Sequence, residues 1–210
     1  VQDLFSGADL PYLIALEGLD ACGKGTQAQL LADTLDASLF KYPAYETETG
    51  QAIKRAFANP HPDPQLAAYS LQALQTVNRL ETSEFLWKLL SYGSVVLDRY
   101  TASAYAYGVA DGLSMDWLRG IEPSSLPQPS LQIYIDISVE ESFRRRPERD
   151  DRYEADRVRM QRVRQAYVDL FDNPPRALQF NRPDEPTAWL IVDGHGTIDE
   201  VHQRILACLP

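Results

Sequence analysis

Five short apolar or β-branched segments separated by helical patterns predict an α/β fold, a five-stranded parallel sheet with helices on both faces. The strand candidates are Tyr12–Leu16, Ser38–Tyr42, Ser94–Leu97, Leu131–Asp136 and Trp189–Val192. A length of 210 residues with 44% hydrophobic content suits one sizeable core, hence a single domain over 1–210. The third observation is the stretch between the first strand and the first helix, Glu17-Gly18-Leu19-Asp20-Ala21-Cys22-Gly23-Lys24-Gly25-Thr26-Gln27, which has the glycine and lysine spacing of a phosphate-binding loop.

In chain order, helices are expected over Thr26–Asp36, Thr47–Ala58, Asp63–Ser91, Thr101–Val109, Val139–Arg146, Tyr153–Phe171 and Ile198–Leu209. Pro60, Pro62 and Pro64 mark the loop before the long third helix, and Pro123, Pro127 and Pro129 the loop before the fourth strand. On the third helix Gln72, Gln75 and Arg79 share one face, while Leu66, Ala73, Leu74, Val77, Leu80 and Leu89 read as its core side. Asn173-Pro174-Pro175 closes the sixth helix, and Asn181–Pro186 reads as a polar approach to the last strand. Asp193-Gly194-His195-Gly196 reads as a plain strand-to-helix turn, with a place near an adenine ring as the alternative for His195.

The first loop has a physical logic. Gly18 and Gly23 let the backbone turn with its N–H groups inward, the helix N-terminus adds partial positive charge, and Lys24 reaches outer phosphates. Gly25 stands where a Ser or Thr commonly ligates magnesium, and Thr26 is the candidate replacement. Asp98 and Arg99 follow the buried run Val95–Leu97 at the strand end where ligands bind in open α/β sheets. Asp98 is a second magnesium candidate, and Arg99 a candidate for an acceptor phosphate.

The formal net charge of −10 disfavours broad nucleic-acid binding, which depends on many Lys and Arg contacts to phosphates. Even so, nine of the sixteen arginines fall between Arg144 and Arg164, a local polyanion site or a cover for one. Cys22 and Cys208 read as free thiols, and with only His61, His195 and His202 a structural zinc site is not expected. No apolar run approaches the roughly 18 residues of a membrane span, and the N-terminus lacks the basic start and apolar core of a signal peptide. A soluble, cytoplasmic protein is expected, with no nucleic-acid or membrane partner.

Five blocks in order, Glu17–Gln27, Tyr42–Gly50, Asn78-Arg79, Asp98–Tyr107 and Arg144–Tyr167, with Leu126–Pro129 beside them, give the chain a resemblance to thymidylate kinases, which are P-loop nucleoside monophosphate kinases. The resemblance implies the P-loop kinase fold, an Arg-rich mobile lid at about 144–153, a homodimer, and transfer of the γ-phosphoryl of ATP to dTMP with Mg²⁺. By position it places ATP on Gly18, Ala21, Cys22, Gly23, Lys24, Gly25, Thr26 and Gln27, and Mg²⁺ on Thr26 and Asp98. The acceptor nucleotide falls to Asp20, Tyr45, Gln75, Arg79, Arg99, Ser103, Tyr107 and Tyr153, with Arg79 on the base. Catalysis is implied for Lys24, Asp20 and Arg99. Ala21 occupies a site where some members carry an arginine, so Arg146 and Arg149 of the lid are the further catalytic candidates.

Three positions depart from the family. Gly25 follows Lys24 as in adenylate kinases, Gln75 stands where a phenylalanine usually stacks on thymine, and Ala104 follows the pocket serine. Gln75 motivates an alternative within the same chemistry, a kinase for dUMP or a modified deoxypyrimidine monophosphate. A nucleotide-binding module without catalysis is a more distant alternative, and nucleic-acid binding through the arginine segment more distant still.

Overall fold

The computed structural model describes residues 11–148, 155–174, 180–182 and 185–209. Its elements in order are β1 (Leu13–Gly18), α1 (Lys24–Leu35), β2 (Ser38–Lys41), α2 (Glu48–Ala58), α3 (Pro64–Glu81), α4 (Ser83–Tyr92), β3 (Val95–Asp98), α5 (Thr101–Ala110), α6 (Met115–Ile121), β4 (Leu131–Asp136), α7 (Val139–Arg145), α8 (Arg157–Asp172), β5 (Phe180–Arg182), β6 (Glu185–Pro186), β7 (Ala188–Asp193) and α9 (Ile198–Leu206). No helix among the described residues is long and apolar enough to cross a membrane.

Five strands form one parallel sheet in the order β2-β3-β1-β4-β7, so the five predicted strands are all present. β1 is buried along its whole length because it has a neighbour on each side and a helical layer on each face. Its side chains alternate between those layers, as a strand period of two requires. Ile14 and Leu16 pack with Leu31 of α1 and with Val201 and Ile205 of α9, whereas Leu13 and Ala15 pack with Leu86 and Leu90 of α4. On this second side Tyr134 of β4 meets Met160, Val163 and Tyr167 of α8. Each fully buried leucine or isoleucine contributes about 1.5–3 kcal/mol relative to exposure.

Most helices begin with a side-chain cap: Thr47, Asp63, Ser114, Ser138, Asp156 and Thr197 accept from backbone N–H groups of α2, α3, α6, α7, α8 and α9. α1 is different. Its N-cap is Gly23, with no capping side chain, so its first N–H groups are left for another acceptor.

Several expectations need correction. The helix read as Asp63–Ser91 divides at Thr82 into α3 and α4. There the Thr82 hydroxyl donates back to the Asn78 carbonyl (2.9 Å) and meets the Tyr42 hydroxyl (2.8 Å), local bonds that compete with continuation of the helix. The faces of α3 are also the reverse of the reading. Its inward side carries Gln72, Thr76, Asn78 and Arg79 beside Ala67, Ala68 and Leu71, while Leu66, Val77 and Leu80 are exposed. Thr76, Asn78 and Arg79 find hydrogen-bond partners inside, and an apolar stripe remains outside. α6 was not anticipated, being only seven residues long and containing Gly120. Asn181–Pro186, read as a polar approach to the last strand, carries most of the antiparallel pair β5–β6, which begins at Phe180. The proposed lid lies partly outside the described residues, as do Arg149 and Tyr153.

Candidate active site

β1, β3 and β4 deliver their C-terminal ends to one edge of the sheet, and the loop Leu19–Gly23 runs from β1 into α1 at that edge. Two glycines are required there for different reasons. A Cβ on Gly18 would stand 2.6 Å from Cys22 Sγ and 2.8 Å from the Ile135 carbonyl oxygen, and Gly23 has φ of 97°, in the left-handed region. Ala21 (φ 63°) is also left-handed, and it costs an alanine energy to stay there. Lys24 is buried at the head of α1, its Nζ donating to the Leu19 carbonyl (3.0 Å) and lying 3.6 Å from Asp20 Oδ1.

Asp20 faces two cations. Arg99 donates to its Oδ1, and the Tyr107 hydroxyl donates to Oδ2 at 3.1 Å. Burial alone would raise this carboxyl, but Arg99, Lys24 and the Tyr107 hydrogen bond outweigh it and hold it far below the usual carboxylate range. Arg99 sits between β3 and α5 with φ of 70°, a conformation costing a non-glycine residue about 1–3 kcal/mol. Its guanidinium also donates to the Gly18 carbonyl (3.1 Å) and to Ser103 Oγ (3.2 Å).

Beneath this pair lies Glu17, fully buried. Its carboxylate accepts from the Tyr100 backbone N–H (2.8 Å), from Ser103 Oγ and from Tyr167 Oη (3.2 Å). Glu17 therefore sits at the N-terminus of α5, where negative charge is favoured, and orients two hydroxyls that face Arg99. Burial pushes its carboxyl above the ordinary value, with the Ser103 hydrogen bond and Arg99 opposing.

Asp98 ends β3 and is buried, with Oδ2 3.6 Å from Lys41 Nζ and Oδ1 without a hydrogen-bond partner. A Cβ on Gly25 would meet only Asp98 Oδ2, at 3.3 Å, so the carboxylate lies against the first turn of α1. An orphaned buried acceptor beside a phosphate loop is compatible with a divalent cation. Among the described residues no group of three His, Cys, Asp or Glu could hold a metal by itself, so such a cation would share its coordination with phosphate oxygens and water. Thr26 is exposed on the same turn. Gln27 is turned away from the loop, its amide bonded to Ile198 and His202.

α7 is tied to the loop from the other side. Ser142 Oγ donates to the Asp20 carbonyl (2.6 Å), and Arg145 spans the Cys22 carbonyl (3.1 Å) and the Gly194 carbonyl (2.8 Å). Arg146 caps the C-terminal end of α7 and is partly buried. His195 is exposed, with Nδ1 2.7 Å from Asp193 Oδ1.

Beside Asp20 and Arg99 is a cavity of about 130 Å³. The candidates Tyr45, Gln75, Ser103 and Tyr107 line it, together with residues that sequence reasoning did not assign to a site: Pro43, Phe57, Leu71, Gln72 and Arg159. Arg79 lines a smaller adjoining hollow that Gln75, Arg99 and Ser103 share. Its guanidinium is bound to Glu122 (2.7 and 3.3 Å) and Thr76 (3.0 Å), so the residue proposed to read a base already has a buried anionic partner. Arg159 lay within the arginine-dense segment, the one signal that could have found it. It pairs with Asp111 through two bonds of 2.6 and 2.7 Å.

A phosphate loop at the switch point of a parallel sheet, with an Asp–Arg pair walling an adjacent cavity, defines a P-loop phosphotransferase with a second substrate pocket. Comparison with known proteins is more specific. The family profile described as thymidylate kinase matches residues 16–205. The chain is 36% identical over 207 residues to a probable thymidylate kinase of Pyrococcus abyssi, covering 93% of this chain and 94% of that one. It is 30% identical over 200 residues to thymidylate kinase of Schizosaccharomyces pombe, with 92% and 89% covered. A solved structure of thymidylate kinase from Candida albicans superimposes with a TM-score of 0.75 at 28% identity, over 94% of this chain and 90% of that one. The chain belongs to the thymidylate kinase family, and it is an ATP-dependent nucleoside monophosphate kinase.

Proposed function

We propose that this chain transfers the γ-phosphoryl group of ATP to dTMP, giving dTDP and ADP. The observation that carries this reading is the shared position of Asp20, which touches Lys24 of the phosphate loop on one side and Arg99 of the cavity on the other. In this account Lys24 and the loop amides from Ala21 to Thr26 hold the donor phosphates. Arg99 binds the acceptor phosphate, held in place by Asp20 and Ser103, and Tyr45, Ser103 and Tyr107 bound the nucleoside. Thr26 and Asp98 would hold Mg²⁺, which when bound neutralises charge on the phosphate oxygens. Catalysis then comes mainly from positioning and electrostatics, with Arg146 and Arg149 as the proposed arginines on the transferred group.

We further read the chain as a single catalytic domain acting in the cytoplasm, where the free thiols of Cys22 and Cys208 would stay reduced. Its proposed partner is a second copy of itself. The exposed α3 stripe of Leu66, Val77 and Leu80 supports this, since apolar side chains in a row favour burial against a matching face.

The test is ATP-dependent diphosphate formation across dTMP, dUMP, dCMP, dGMP and dAMP. Preference for dTMP is the expected result. A different preferred base moves the specificity within the same chemistry, and no transfer to any acceptor overturns the reading. Light scattering on the native chain and on Val77→Glu should give a dimer and a monomer respectively; a native monomer removes the self-association proposal.

A further inference from the structure

The last residues of β2 and β3 are register partners, so Lys41 and Asp98 leave the sheet side by side at the edge where the phosphate loop enters α1. The Lys41 ammonium stands 3.6 Å from Asp98 Oδ2, and Asp98 is its one ion-pair partner among the described residues. The lysine side chain is 66% exposed and that of the aspartate 7%. A pair open to solvent on one side adds little to stability, so the fold does not depend on this lysine. Toward α1 the same oxygen is left uncovered by Gly25, where an added Cβ would meet it at 3.3 Å, and Asp98 Oδ1 has no hydrogen-bond partner.

Asp98 is the carboxylate proposed above to hold Mg²⁺, and this inference rests on that reading. Magnesium gives up its water reluctantly and is commonly held by one or two carboxylates together with phosphate oxygens. At Asp98 it would arrive beside a resident positive charge, and cations a few ångströms apart repel. Donor phosphates reverse the balance, because their negative charge compensates metal and ammonium together. A lysine suits such an exchange, being a point charge on a flexible stem that can swing aside without disturbing the strand. We propose that Lys41 is a resident counter-ion that keeps divalent metal off Asp98 until a nucleoside triphosphate is bound, so that metal enters with the nucleotide and not alone.

The experiment titrates Mn²⁺ into the native chain, Lys41→Met, Lys41→Arg, Asp98→Asn and Lys41→Met/Asp98→Asn, with and without a non-hydrolysable ATP analogue, and reads free Mn²⁺ by electron paramagnetic resonance. Without nucleotide, Lys41→Met should bind Mn²⁺ about tenfold more tightly than the native chain, and Lys41→Arg, which keeps the charge, should stay within about twofold of it. With the analogue bound, the gap between Lys41→Met and the native chain should close to about twofold or less. Adding Asp98→Asn to Lys41→Met should erase the gain. Equal affinities without nucleotide, a tenfold gap that persists with the analogue, or a gain that survives Asp98→Asn each overturn the proposal. If Asp98→Asn alone leaves Mn²⁺ affinity in the presence of the analogue unchanged, the assignment of Asp98 to the metal falls together with this inference, while transfer to dTMP still decides the kinase reading.

Discussion

The phosphate loop itself is built from neighbours in sequence, Gly18 to Lys24, inside one strand-to-helix turn, and Arg99, Ser142 and Arg145 brace its carbonyls from outside. The cavity beside it draws Tyr45 from the segment after β2, Phe57 from α2, Gln72 and Gln75 from α3, Tyr107 from α5 and Arg159 from α8. One side is a local conformation that offers a phosphate the N–H groups every chain possesses; the other is a tertiary meeting of side chains drawn from distant elements. The donor half therefore tolerates changes that keep backbone geometry, while the acceptor half depends on the packing of four helices.

Removing the lysine of the donor half should have the largest effect. Lys24→Ala is expected to lower kcat by about 10³ or more while leaving a folded chain, because it deletes the charge proposed to hold the donor phosphates. Near-normal turnover in that variant would mean the donor half works by backbone alone.

The acceptor half should respond through stability. Arg79→Met leaves Glu122 buried without its cation and should cost about 3–5 kcal/mol, a fall in Tm of roughly 10 °C, with Arg79→Met/Glu122→Leu recovering most of it. If the double variant melts as low as the single one, packing around α3 rather than the ion pair holds this wall.

Smaller still is the effect of Glu17, which lies under both halves. Its carboxyl is raised by burial, so the folded chain holds that proton more tightly than the unfolded chain. Stability from this group is full below the ordinary value of 4.5 and falls as pH rises from there through the folded value. Chemical denaturation across that range should show the native chain losing ground to Glu17→Gln as pH rises. A gap independent of pH would show that Glu17 is ionised equally in both states.

The same contrast explains what the sequence made legible. The five strands and the phosphate loop announce themselves through local signals: apolar runs, glycine spacing and a lysine at a helix start. The Asp98-Arg99 strand end is also local, and the structure sets Arg99 against Asp20. The face of α3 was misread because Leu66, Val77 and Leu80 satisfy the rule that apolar residues point inward, and nothing nearby in sequence reveals that Asn78 would find Ala44, Thr47 and Thr49. Glu122, which occupies Arg79, is 43 residues away, and Phe57 entered the cavity wall from a helix read only for its periodicity. Partners that topology alone supplies leave no mark at the positions they satisfy.

Gln27 bonds to the Ile198 carbonyl (2.8 Å) and to His202 Nδ1 (3.1 Å), so the helix carrying the phosphate loop is joined to α9. Val201 and Ile205 share a packed layer with Leu31 of α1 and Ile14 of β1. For anyone reshaping this enzyme, α9 is thus foundation rather than trim. Shortening the chain at that helix, or splicing a reporter into it, would loosen the floor under the phosphate loop.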